Sequence, residues 1–103
     1  YTQVMEYDEK SLKEILIRDK NVRLIDIREP HEYALHHSVS ATLNVPMTRL
    51  VQFIGEHMQD RDQPWVLLCR SGSRSQVVAQ AMARLGFNHI GHLKGGYALG
   101  KSL

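Results

Sequence analysis

One cysteine occurs in the 103 residues, and the run it opens, Cys69, Arg70, Ser71, Gly72, Ser73, Arg74, Ser75, joins a nucleophile to small residues and two guanidinium groups. A thiol attacks only as its thiolate, and free cysteine, with a pKa of about 8.5, falls to roughly 3.5–7.5 beside helix N-termini and cations. Small residues let the backbone curl so that successive amides point inward as an anion-binding nest. A helix starting just behind the loop adds partial positive charge. The composition of the run therefore predicts an activated Cys69 within a ring of amides. Arg74 and Arg70 offer planar forks of donors suited to thiosulfate or other sulfonate-like oxygens, and Ser71 and Ser73 add hydroxyl donors. The amides carry more weight, because their fixed direction needs little reorganisation during reaction. An inert core cysteine is the competing reading. It leaves two flanking arginines and a small-residue turn unexplained. For Arg70 an ion pair with Asp26 or Glu29 is as reasonable as a substrate contact.

The elements that must hold this loop follow from hydrophobic period. Short apolar runs alternate with segments of helical period, which predicts an α/β domain with a mainly parallel sheet. Strands are expected at residues 2–5 on an edge, at 22–27, at 42–45 before Pro46, at 65–68 and at 89–93. Asp8 is placed to cap a helix burying Leu12, Ile15 and Leu16, and Pro30 to open a short helix. Thr48 is placed to cap a helix burying Leu50, Val51, Phe53 and Ile54. After the cysteine loop, a helix is expected to turn Val77, Val78, Ala81, Met82 and Leu85 inward and to stop at Gly86. Cys69 then falls where the 65–68 strand releases the chain, the end of an α/β sheet at which ligands collect.

Composition narrows the class. At 43% hydrophobic and 23% charged residues, with a net charge of +2, the chain fits one globular domain over residues 1–103. Its basic residues form no run, so no nucleic-acid partner is expected. A lone cysteine excludes an internal disulfide framework. The histidines, at positions 31, 36, 37, 57, 89 and 92, lack the helical i, i+4 pair of a zinc site, and no metal or cofactor is expected. Capping and surface roles are assigned to them instead. No run reaches the roughly 18–20 apolar residues of a membrane span, and no secretory signal is visible. The expected compartment is the cytoplasm, or the periplasm if a leader preceded Tyr1.

From about Val4 to Tyr97 the chain resembles the rhodanese homology domain, single-domain type. Leu24, Ile25, Asp26, Ile27, Arg28, Glu29, Pro30 with Glu32 and Tyr33 resemble the family's first block, closed by Asn44, Val45, Pro46. The loop from Cys69 to Ser75 resembles its active-site loop, and Leu93, Lys94, Gly95, Gly96, Tyr97 its glycine turn near the C-terminus. The loop and the aspartate block, in order and about forty residues apart, are more specific together than either alone. The resemblance implies a three-layer α/β/α sandwich around a five-stranded parallel sheet, with Cys69 as sulfur carrier and the backbone of residues 70–74 cradling a persulfide. It also implies that Asp26, Arg28 and Ser75 support the loop without reacting. Residues 36–41 lack the family's turn glycines, and the tail after Tyr97 is abbreviated. His37 stands near the family histidine and receives no role.

The implied activity is thiosulfate sulfurtransferase: sulfane sulfur passes from thiosulfate, a polysulfide or a persulfide to cyanide, a thiol or an acceptor protein. A non-catalytic persulfide relay or regulatory module would use the same loop. A cysteine phosphatase or arsenate reductase is disfavoured by spacing. Protein tyrosine phosphatases place one residue more between cysteine and arginine, and Ser75 stands where that arginine would be. A hydrolase would need a base beside the nucleophile, and no local pattern places a histidine or aspartate there.

Overall fold

The computed structural model describes residues 3–35, 43–70 and 72–95. Five strands, β1 (Met5–Tyr7), β2 (Arg23–Asp26), β3 (Leu43–Asn44), β4 (Trp65–Leu68) and β5 (Ile90–Leu93), form one sheet in the order β1-β5-β4-β2-β3, parallel throughout. Helices α1 (Glu9–Arg18), α2 (Pro30–Leu35), α3 (Met47–His57) and α4 (Ser73–Arg84) connect them.

Alternation along the buried strands builds two cores. Leu24, Val66, Leu68 and Leu93 face α1 and pack with Leu12, Ile15 and Leu16. Ile25, Trp65, Leu67 and Ile90 face the other way and pack with Leu50 of α3 and Ala79, Met82 and Ala83 of α4. A central strand buried on both faces reads as one apolar run because each neighbour serves a different layer. These two cores make the expected three-layer sandwich.

Chain order produces the crevice. From β2 the chain passes outward to β3, then crosses back to β4 and continues away through α4 to β5. Connections leaving β2 and β4 thus diverge, and the gap beyond their carboxyl ends is the sheet's switch point. Cys69 follows β4 directly into that gap, and Asp26 closes β2 beside it, opposite Leu68.

Several local expectations change. The first strand lies at Met5–Tyr7, running straight into the Asp8 cap, where Asp8 Oδ1 accepts from the Ser11 amide at 2.8 Å and Ser11 Oγ accepts from the Asp8 amide at 2.9 Å. The third helix begins at Met47 behind Pro46, so Thr48 sits inside its first turn and caps nothing. Val51 is 84% exposed, one residue off the face set by Leu50, Phe53 and Ile54. On α4 the buried residues are Ser75, Ala79, Met82 and Ala83, while Val77, Ala81 and Leu85 are exposed. Small side chains at i, i+4 and i+8 let that helix approach the sheet closely, which bulkier residues on the same face would prevent. Gly86, at φ 96°, ends α4 as expected: its amide donates to the Ala83 carbonyl at 3.1 Å and the Phe87 amide to that of Met82 at 3.2 Å, a Schellman pair.

Candidate active site

Helix α4 begins at a glycine. Gly72, its N-cap, adopts φ 89° and has no side chain with which to satisfy the orphan amides of the first turn. The sulfur of Cys69 takes that place. Sγ lies 3.0 Å from the Gly72 amide and 3.4 Å from the amide of Ser75, the third residue of the helix. Asp8 serves α1 in the same way with an oxygen. A sulfur holding two converging amides at a helix N-terminus is stabilised most when it carries negative charge.

The left-handed turn is possible only because Gly72 has no Cβ. A methyl there would come within 2.8 Å of the Gly95 nitrogen and 3.3 Å of the Leu93 carbonyl oxygen. The glycine turn after β5 is therefore the floor on which the cysteine loop rests, and two motifs widely spaced in the sequence form one piece of structure.

Cys69 is 0% exposed and belongs to the core that Ile27, Leu67 and Ala79 share. The thiol is thus covered by apolar neighbours on one side and faced by amides on the other. Burial alone would fit an inert cysteine; the directed amides would not.

The remaining expected site residues fall into three groups. Ser71 lies outside the described residues, as do His36, His37, Gly96 and Tyr97. Arg70 is exposed and forms no ion pair among the described residues, with neither Asp26 nor Glu29. Ser73 opens α4 on the exposed side. Arg74 points at α2, where its two terminal nitrogens meet Glu32 Oε1 at 3.4 Å and Oε2 at 3.3 Å. That guanidinium holds the Glu32 carboxyl below the usual range, despite partial burial. Glu32 entered the sequence reading only as part of a motif, and the structure makes it the partner of an expected anion-binding arginine.

Asp26 and Arg28 bind each other. The carboxylate accepts from the Arg28 backbone amide at 3.0 Å and from its NH2 at 2.7 Å, with both side chains buried. Asn44 Nδ2 donates to the carbonyls of Asp26 at 3.1 Å and Arg28 at 2.9 Å, and the Ile27 amide donates to Leu68 O at 2.9 Å. This lattice fixes the exit of β2 against the residue before Cys69.

One helical turn brings the Ser75 hydroxyl to 3.4 Å from Sγ, so the support expected of it reaches the sulfur itself. His92, assigned to the surface, is 2% exposed on β5, and its Nδ1 lies 3.3 Å from Ser75 Oγ. The alternation that sends Leu93 toward α1 sends Ile90 and His92 toward α4, and that was the available signal. His89 is exposed, and His57 occupies the last turn of α3. Among the described residues no three His, Cys, Asp or Glu side chains gather to hold a metal ion, and no helix is long and apolar enough to cross a membrane.

A parallel α/β sheet with a cysteine cradled by amides between strand and helix defines a class of cysteine-loop proteins that includes both sulfur carriers and phosphatases. Within that class the comparisons decide. The model of the rhodanese-like domain matches residues 8–102, and the chain belongs to that family. It is 33% identical over 87 residues to the thiosulfate sulfurtransferase GlpE of Pseudomonas paraeruginosa, covering 84% of this chain and 76% of the relative. A sulfurtransferase of Allochromatium vinosum is 34% identical, covering 90% and 84%. The structure of a human single-domain sulfurtransferase superposes with a TM-score of 0.78 at 21% identity, covering 98% of this chain and 100% of that one, a likeness of fold.

Proposed function

We propose that the chain is a sulfurtransferase in which Cys69 carries the transferred sulfur. The Cys69 thiolate attacks the outer sulfur of thiosulfate; a new S–S bond forms, the old one breaks, and sulfite leaves with the bonding pair. The product is a persulfide anion on Cys69. Cyanide or a thiolate then attacks the outer sulfur, leaves with it, and returns the Cys69 thiolate, so charge balances in both steps. A polysulfide or protein persulfide serves as donor by the same displacement.

The observation that carries this reading is the pair of amides, Gly72 and Ser75, converging on Sγ. Their fixed dipoles favour the anionic sulfur before attack and need no rearrangement to do so. Ser75 takes the place where a phosphatase would need its arginine, and Arg74 is drawn aside to Glu32, which further disfavours a phosphate cradle. Arg70, exposed beside the loop, and Arg74, released from Glu32, bind the sulfonate oxygens of the donor. The names of the relatives support the same activity.

Thiocyanate formation from thiosulfate and cyanide tests the proposal. Wild-type protein is expected to turn over, and Cys69→Ser to be inactive while keeping its unfolding transition. Activity surviving in Cys69→Ser would overturn it.

A further inference from the structure

We propose that His92 is a positioning residue for Cys69, accepting through the Ser75 hydroxyl the proton that leaves the thiol. The inference rests on Cys69 being the sulfur carrier. Two hydrogen bonds in series support it, Cys69 Sγ to Ser75 Oγ at 3.4 Å and Ser75 Oγ to His92 Nδ1 at 3.3 Å, and beyond them His92 Nε2, with no hydrogen-bond partner among the described residues, faces Glu6 Oε2 at the longer distance of 3.6 Å.

The sheet register builds this row. His92 stands opposite Glu6 on β1 and opposite Leu67 on β4, so one ring nitrogen faces a carboxylate and the other reaches across to α4. In the resting arrangement Nε2 bears the proton toward Glu6, Nδ1 accepts from the Ser75 hydroxyl, and that oxygen accepts from the thiol. Ionisation shifts two protons along the row. The S–H bond breaks as Ser75 gains that proton, the former Ser75 proton forms Nδ1–H, and the products are a thiolate and an imidazolium. No electron pair leaves its atom's valence shell, and the net charge of the row is unchanged.

The groups facing the ring set the balance. Burial lowers the His92 pKa below that of an ordinary imidazole; Glu6 on β1 opposes this, and Lys94, just beyond β5, lowers it further. From the α4 side the hydrogen-bonding groups that reach the ring, among the described residues, are Ser75 and, beyond it, Cys69. Burial therefore favours the neutral ring at rest, and Glu6 is the group in the row that stabilises the imidazolium once the proton arrives. The alternative partner of the Ser75 hydroxyl is the Gly72 carbonyl at 3.1 Å. A proton on Nδ1 occupies one lone pair of Ser75 and leaves its O–H free to turn to the thiolate.

The test is the pH dependence of Cys69 alkylation by iodoacetamide, beside thiocyanate formation by the same samples. Asn places an amide near the position of Nδ1 but takes up no proton. His92→Asn is expected to move the alkylation midpoint upward by about one pH unit, a roughly tenfold slower reaction on the acid side. Ser75→Ala is expected to do the same, and the double variant to add nothing further. Glu6, 54% exposed, can be neutralised without touching the core, so Glu6→Gln gives a smaller upward shift even where His92→Asn is poorly folded. An unchanged midpoint in both His92→Asn and Glu6→Gln, or additive effects of His92→Asn and Ser75→Ala, would overturn the relay. Wild-type protein that alkylates with these shifts but never forms thiocyanate would instead contradict the sulfur-transfer reading.

Discussion

Gly72 rests on the backbone of Gly95 so closely that a Cβ at position 72 would lie 2.8 Å from the Gly95 nitrogen. The contact joins the loop that presents Cys69 to the turn that ends β5. It ties Gly95, just after a strand, to a cysteine some twenty-five residues earlier.

Gly72→Ala is expected to cost about 1–2 kcal/mol for the left-handed backbone alone, with the clash adding to it. Because the Gly72 amide makes the shortest hydrogen bond to the sulfur among the described residues, at 3.0 Å, thiocyanate formation is expected to fall further than stability does. Activity compared with urea unfolding checks this; a variant that loses stability but keeps full activity would contradict the role given to the amide.

Asp26→Ala removes the carboxylate that the buried Arg28 guanidinium meets at 2.7 Å. Breaking a buried pair in this way costs about 3–5 kcal/mol. The urea midpoint is expected to drop accordingly, and a change within experimental error would show that water reaches Arg28.

Glu32→Gln releases Arg74. The KM for thiosulfate is expected to fall several-fold, and Arg74→Ala to raise it more than Arg70→Ala does. The same pair has a pH signature. Because Arg74 lowers the folded-state pKa of Glu32, its contribution to stability is complete above the ordinary value of 4.5 and is lost as pH falls through the lower folded value. Melting temperatures of wild type and Glu32→Gln should therefore differ at pH 6 and converge in strong acid.

A thiol with no exposed surface should discriminate by size. Relative to free cysteine, a bulky aromatic disulfide is expected to react with Cys69 at least roughly tenfold more slowly than iodoacetamide does. Equal relative rates would mean that the covering side chains open freely.

Much of this architecture was legible in the residues. The 65–68 strand and the Asp8 cap needed only apolar runs and one acidic residue before a helical period. The cysteine loop was legible because small residues and arginines beside a thiol at a strand end have few structural uses. The α4 face is shifted from the one the larger apolar residues mark: Ser75, Ala79 and Ala83 lie toward the sheet with Met82, while Val77, Ala81 and Leu85 are exposed, because a close helix–sheet contact selects small residues. His92 was missed for a different reason. Its partner Ser75 is on another element, and no local pattern signals a hydrogen bond made by a histidine alternating into a helix-covered face. Glu32 and Arg74, also on separate elements, were seen singly and not as a pair.

The most direct measurement is intact-mass spectrometry after incubation with thiosulfate. A gain of about 32 Da, one sulfur atom, mapped to Cys69 and removed by cyanide, is the predicted result. A wild-type protein whose mass does not change under conditions in which it still forms thiocyanate, or a gain at any other residue, would contradict the account.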